Sequence, residues 1–550
     1  MQRIVLLSGL VLLSFSARAI SPSDRDAVVQ QQKQLLEQNQ QQRDELLRTL
    51  RPQPSRPAST LSVTGPCFTL THITLANATL LSDRARSRLV TPYLNRCLGV
   101  PQINQLVSEI SDWYLHRGYI TSRAFLSEQN LSSGQLIISV MEGRLQQVRL
   151  AGTPARTLNM VFPGLDGGIL NLRDIEQGME QINRVRSQPV QIEILPGDRP
   201  GYSIVNLTAT PESPFSVSLN VDNSGQKSTG TGQFSSSLTG NNLLGLADKW
   251  LVSGGRSSDF SSSHDAQNFQ ASLSLPYGYS LFDYSYSWSH YLSTINNNGF
   301  NWASTGDSVT HRVNAARVLF RNGDIKTGVS LGLTHQMSHN YLNEAKLDSS
   351  SRKLTSLQFG LNHTQKILRG VATLNPAFSH GVPWLGAEND HGKNGGMPKA
   401  EFKKWSVNGS FQLPATNDLW WLTSVYGQWS PDRLYGSERL TIGGESSVRG
   451  FKEQYLSGDK GGYWRNELNY TLFTLPFIGR VTSIVAFDGG WLQKDGNDPW
   501  ASGTLWGAAV GLSSSNRYYA SQFTVGAPVK YPDWLTPDRV SIYYRIAFVL

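Results

Sequence analysis

Phe282-Asp283-Tyr284-Ser285-Tyr286-Ser287-Trp288-Ser289 alternates an aromatic with a small or acidic side chain at every step. Successive side chains of a β-strand point to opposite faces, so a strand through this stretch has one apolar wall and one wetter wall. The pattern recurs. Phe269, Ala271, Leu273 and Leu275 are separated by Gln270, Ser272 and Ser274, and the end of the chain sets Val540, Ile542, Tyr544, Ile546, Phe548 and Leu550 on one face. Beyond Pro214 nothing has the periodicity of a long helix, and 13 of the 14 Trp lie there. At about 21 residues per strand and connection, this block accommodates about 16 strands, a reasonable outer-membrane barrel whose lipid face is the apolar one. A soluble β-sandwich also alternates, but this block is long for one.

Composition agrees. In 550 residues there are 50 Gly, 14 Trp, 20 Tyr and 21 Phe, with only 16% charged residues, which excludes a disordered or coiled-coil main body. No apolar run reaches the ~18 residues of a membrane-spanning helix, and alternating barrel strands escape that test. The net charge of +8 is mild for this length and gives no argument for nucleic acid as a partner.

Residues 1–19 have a basic start at Arg3, an apolar centre from Ile4 to Leu13 and the small-x-small ending Ala17-Arg18-Ala19, which reads as an export signal. In an oxidising compartment the two cysteines, Cys67 and Cys97, pair by default; two separate thiols are the alternative. A bridge closing a loop of about 30 residues constrains the unfolded chain by roughly 3.5 kcal/mol.

Ser23 to Leu50 is rich in Gln and other helix formers, with Ser23 before Asp24 as an N-cap and only a thin apolar stripe. Such a helix needs a polar surround. Pro52, Pro54 and Pro57 then mark an extended linker. From Cys67 to about Thr210, strands alternate with helices. Phe68 to Leu75 reads as a strand, Ile103 to His116 as a helix stopped by Gly118, and Ile120 to Leu126 and Gln135 to Val140 as strands. Leu145 to Leu150, the helix Asn171 to Val185, and the strands Val190 to Leu195 and Tyr202 to Thr208 form a second unit. This is tandem α+β architecture.

No constellation reads as catalytic or metal-binding, and no cofactor is called for. His335 and His339 share a strand face, but two His do not hold zinc. Gly443-Gly444-Glu445-Ser446 lacks the spacing of a nucleophile elbow. What stands out is a glycine-rich connection from Leu440 to Trp464, containing Val448-Arg449-Gly450-Phe451, followed by Ala486-Phe487-Asp488-Gly489-Gly490. If the connection folds into the barrel, a bidentate guanidinium-carboxylate pair between Arg449 and Asp488 could pin it there.

These motifs make the chain resemble the TpsB transporters, the outer-membrane partners in two-partner secretion, as in the FhaC, ShlB and CdiB proteins. The resemblance spans essentially the mature length. Val448-Arg449-Gly450-Phe451 matches the family's loop-tip signature, Asn171 to Gly178 with Asn183-Arg184 matches the second POTRA helix, and Pro196-Gly197 and Pro200-Gly201 match the turn before the last POTRA strand. Ala486 departs from the Phe or Gly of the family's strand motif.

The resemblance implies a mainly β protein: a transmembrane antiparallel barrel of about 16 strands at 211–550, preceded by a plug helix at 20–50, a linker at 51–61, and periplasmic POTRA domains at 62–143 and 144–210. It puts Arg449 at the tip of the sixth extracellular loop, folded into the pore, with Asp488 as its strand partner. The expected function is export of one large exoprotein across the outer membrane, its amino-terminal secretion domain captured by the POTRA domains by strand addition. Arg173, Arg184 and Arg186 are expected to supply polar contacts to it, although a solvated helix face accounts for them equally well. The partners implied are a TpsA-type exoprotein (a CdiA-like contact-dependent growth-inhibition toxin, a haemolysin or an adhesin), outer-membrane lipid, and periplasmic chaperones and the barrel assembly machinery during biogenesis. An assembly insertase of the same superfamily is the alternative; a passive porin would have no use for the first 210 residues.

Overall fold

The computed structural model describes residues 21–49, 67–257, 262–297, 299–394, 396–496, 498 and 502–550. The export signal at 1–19 and the linker at 51–61 lie outside them.

Helix α1 (Pro22–Leu47) is capped by Ser21, whose hydroxyl accepts from the Asp24 N–H at 3.1 Å. The cap is therefore Ser21 and not Ser23. Pro22, which has no N–H to satisfy and a φ suited to a first turn, begins the helix two residues earlier than the capping signal suggested.

The first α+β unit contains β1 (Phe68–Leu70), β2 (His72–Ala76), α2 (Asp83–Val90), β3 (Arg96–Leu98), α3 (Val100–His116), β4 (Arg123–Leu126) and β5 (Gln135–Met141). Its main sheet has the order β2-β5-β4, while β1 pairs separately with β3. The single strand expected from Phe68 to Leu75 is thus two. At Thr71 the chain leaves β3 and its N–H donates instead to Gly134 O at 2.8 Å. Ile103, Leu106, Ile110 and Tyr114 of α3 pack on Leu136, Ile138 and Val140 of β5, and Gly118, at φ +91°, lets the chain turn away after the helix.

The second unit contains β6 (Arg144–Leu150), α4 (Ala155–Val161), α5 (Leu172–Asn183), β7 (Gln191–Pro196) and β8 (Tyr202–Thr208), with sheet order β6-β8-β7. Asn171 caps α5 by accepting from the Arg173 N–H at 2.9 Å. Ile175 and Ile182 of α5 pack on Val205 and Leu207 of β8. β7 pairs with β8 alone among the described residues, which leaves its other edge free.

From Phe215 to Val549 the chain forms a closed antiparallel barrel of 16 strands. Closure is made by the last strand on the first, with Arg545 opposite Asp222 and Val549 opposite Ser218. Closing the sheet removes the open edge that lipid would penalise. Phe282, Tyr284, Val313, Leu331 and Phe359 are exposed on the outer wall, as a lipid-facing surface requires.

The second unit docks under the barrel turns. The Thr157 hydroxyl donates to Gly245 O at 2.8 Å, Gly278 N–H donates to Met160 O at 2.8 Å, and the Tyr279 hydroxyl donates to Asp174 at 2.6 Å. This is the end of the barrel expected to face the periplasm.

Candidate functional site

The connection between strands Leu419–Trp429 and Gly461–Leu475 folds back into the barrel as a short hairpin, Leu440–Ile442 paired with Leu456–Gly458. Its apolar side chains drive the folding. Leu440, Ile442, Val448, Phe451 and Leu456 are buried together with Tyr463, Leu492, Leu505 and Leu535.

At the tip, Arg449 Nε donates to Asp488 Oδ2 at 2.6 Å and Nη2 donates to Oδ1 at 2.7 Å. The Arg449 backbone N–H also donates to Oδ2, at 3.1 Å, and Nη1 reaches Glu467 Oε1 at 2.9 Å. Both partners are almost wholly buried, Arg449 at 2% exposure and Asp488 at 0%. Glu467 is shared with Arg465, whose Nη1 donates to Glu445 O at 2.6 Å, so the wall binds the loop at two points. Ala486, two residues before Asp488 and hence on the same strand face, is buried as well.

Glycines on both sides of the contact let the tip approach the wall. A Cβ on Gly507 would collide with the Arg449 carbonyl oxygen, and one on Gly450, at φ +97°, would lie 2.6 Å from the Ala527 backbone. Sequence reasoning missed Glu467, Arg465 and Gly507. A glycine inside a strand is a signal of close backbone approach, but its meaning depends on knowing which strands face the loop.

Helix α1 lies in the lumen against this loop. Gln32 Nε2 donates to Thr441 O at 2.7 Å and Gln32 Oε1 accepts from the Ser446 hydroxyl at 3.1 Å. Near the helix start, Arg25 donates to Lys452 O at 3.2 Å and lies 4.4 Å from the centre of the Tyr455 ring. Further along, Asn39 Nδ2 donates to Asn408 Oδ1 at 2.9 Å, and its Oδ1 accepts from Thr373 at 2.9 Å and Asn375 at 3.0 Å. The amino end of α1 therefore points to the extracellular loops and its carboxyl end to the periplasm. A helix polar all round suits this setting, because the lumen wall supplies the hydrogen bonds that lipid cannot.

Between the carboxyl end of α1, α5, β7 and the wall lies a cavity of about 1020 Å³, lined among others by Glu45, Arg48, Glu180, Arg184, Gln191 and Lys249. The three arginines expected to contact cargo occupy different settings. Arg173 is buried and bonded to Glu176 at 2.6 Å, which corrects the expectation that it faces cargo: α5 turns that side toward the barrel. Arg184 Nη2 donates to the barrel carbonyl of Ala247 at 2.5 Å, while its buried Nε and Nη1 have no hydrogen-bond partner among the described residues. Arg186 donates to Thr210 O. Cys67 and Cys97 are disulfide-bonded, joining the segment before β1 to β3.

Residues 201–514 match the family of haemolysin secretion/activation proteins ShlB/FhaC/HecB, residues 68–143 a ShlB-type POTRA domain, and residues 144–196 a POTRA domain. The chain is 59% identical to the outer-membrane transporter CdiB of Escherichia coli, over 98% of this chain and 93% of that protein. It is 30% identical to the haemolysin transporter protein ShlB of Serratia marcescens, over 92% and 88% of the two chains. Its structure is similar to that of CdiB from Escherichia coli with a TM-score of 0.95 at 59% identity, covering 97% of this chain and 100% of the other.

Proposed function

Because the chain belongs to the ShlB/FhaC/HecB family, and is therefore an outer-membrane transporter of two-partner secretion, we propose that its cognate exoprotein is a CdiA-like contact-dependent growth-inhibition toxin. Greater identity to CdiB than to the haemolysin transporter supports this choice over a haemolysin or an adhesin.

On this reading the described chain divides into the plug helix α1, two POTRA domains running from Phe68 to Met141 and from Arg144 to Thr208, and the barrel from Phe215 to Val549. The observation that carries the mechanism is that the edge strand β7 lines the same cavity as the carboxyl end of α1. An extended cargo segment adding to β7 arrives beside the plug, at the mouth of the pore it must enter. Strand addition satisfies the cargo backbone without demanding a particular sequence, and side chains lining the cavity supply selectivity. Among the three arginines, Arg184 is the one for this role, because it lines the cavity and the other two do not.

Arg449 and Asp488 hold the loop to the wall, so that α1 has a fixed surface to leave from. Lipid contacts the apolar outer wall, and periplasmic chaperones with the barrel assembly machinery deliver the strands to the membrane during biogenesis. No ATP is available in the periplasm, and folding of the exoprotein outside the cell makes its passage irreversible.

The test is coexpression with a CdiA-like exoprotein bearing its amino-terminal secretion domain, measuring cargo outside the cell with and without residues 62–210. Release that requires the intact chain is expected. Retention of the CdiA-like exoprotein by well-inserted barrels that instead release a haemolysin or an adhesin would overturn the reading.

A further inference from the structure

One ammonium group at the periplasmic mouth serves two moving parts. Lys326 Nζ, on barrel strand Ile325–Leu342, binds Glu45 Oε2 of α1 at 2.7 Å and also Glu180 Oε1 of α5. All three side chains are largely buried.

The two carboxylates are not held alike. Glu180 has a second cation from the barrel, since Arg321 Nη1 lies 3.3 Å from its Oε2, and Arg321 is itself fixed by Gln177 Oε1 at 2.6 Å. Glu45 accepts from Gln41 of its own helix at 2.8 Å, and Lys326 is its contact with the wall. When α1 leaves, Glu45 goes with it into water, while Lys326 stays behind. A buried cation stripped of its partner is costly. Here it is not stripped, because Glu180 is already bound to it and is fixed in place by Arg321.

We propose that Lys326 is a positioning residue of the transport cycle, a counter-ion shared in the closed state by the plug and the second POTRA domain and kept by the POTRA carboxylate as the plug departs. The inference rests on reading α1 as the plug. Its consequence is a sign. Glu45 holds the plug, whereas Glu180 competes with Glu45 for one cation and weakens that hold. Two carboxylates touching the same ammonium therefore act in opposite directions on opening, which a simple structural pin does not do.

The test uses purified full-length protein in planar lipid bilayers and reads the fraction of time the pore is open. Glu45→Gln should raise that fraction about fivefold and Glu180→Gln should lower it by a similar factor, the scale of one moderate ion pair. Both replacements keep side-chain shape, and heat-modified gel mobility verifies that each barrel is folded. A deletion of residues 21–47 serves as the open reference. If that deletion opens the pore but the two Gln variants shift it in the same direction, or neither shifts it, the shared counter-ion is overturned and the plug stands. If the deletion leaves conductance unchanged, the plug reading fails and the inference falls with it.

Discussion

The Asp488 carboxylate receives three hydrogen bonds from Arg449, two from the guanidinium and one from the backbone N–H. The side-chain pair fixes the angle of the guanidinium plane, and the backbone bond fixes the position of the chain itself. A loop tip held in both ways cannot rotate about its own side chain. Such a pair is weak as a source of net stability, because desolvating both charges offsets their attraction. Its value lies in placing the loop that α1 packs against.

Arg449→Ala is accordingly expected to impair secretion while leaving membrane insertion largely intact. Arg449→Lys should rescue little, since an ammonium cannot make the two-pronged contact. Asp488→Ala leaves the guanidinium with Glu467 alone and should destabilise the folded loop by about 3–5 kcal/mol, more than removing both partners together. Cargo in the medium at matched protein levels reads the first effect, and protease sensitivity of the loop reads the second. Wild-type secretion by Arg449→Ala would refute the assignment.

Removing the Cys67–Cys97 bridge tests what the first POTRA domain contributes. The bridge closes a sequence separation of 30 residues and lies at the β1–β3 pairing, outside the main sheet. Cys67→Ser with Cys97→Ser should lower the stability of this domain by roughly 3.5 kcal/mol in the loop-entropy account. Secretion should then fall more steeply with temperature than in the native chain, with barrel assembly unchanged. An unchanged thermal profile would mean that the domain's core suffices without the bridge.

How much of this was legible in the sequence follows from which facts are local. Strand alternation is local, and so Phe282 to Ser289 announces a barrel wall. Arg449 and Asp488 are distant in sequence, but each sits in a recognisable motif, which brought them together before any geometry. Glu467 and Gly507 have no such mark. Their roles come from the strand register, which puts them under a loop whose path the sequence does not state. The direction of α1 was illegible for a related reason: Gln32, Asn39 and Arg43 could hydrogen-bond to a wet wall in either orientation. Arg173 looked exposed because α5 is polar on two sides, and the barrel covers one of them.

Glu212 provides a pH dependence outside the membrane. Its carboxylate accepts from the Ser187 N–H and hydroxyl at 2.9 and 2.8 Å and from the Gln188 N–H at 2.9 Å. Partial burial alone would raise its pKa, but these bonds and the nearby Arg186 outweigh burial and hold it below the usual range. A depressed folded pKa stabilises the fold fully above the unfolded value of about 4.3, and that contribution is lost as pH falls through the folded pKa. Hydrogen exchange at the Ser187 and Gln188 amides, corrected for intrinsic rates, should lose protection over that acidic interval. Glu212→Gln should show weaker protection at neutral pH and no such transition.

Gly507→Ala isolates the approach of loop and wall without touching a charge. The added methyl would collide with the carbonyl oxygen of Arg449, the residue whose N–H and side chain bind Asp488. Either the tip lifts and the bidentate pair breaks, or the strand bends. The strand is paired on both sides, with Gly507 opposite Asp488 and Pro528, so the loop is the part that yields. Secretion should therefore fall to near the level of Arg449→Ala in a normally inserted barrel. Gly332→Ala is the matched control, because a Cβ there meets nothing closer than 3.7 Å. It introduces the same methyl into a barrel strand and should secrete as the native chain does. Equal loss in both variants would attribute the defect to glycine replacement in strands generally and not to the seat of Arg449.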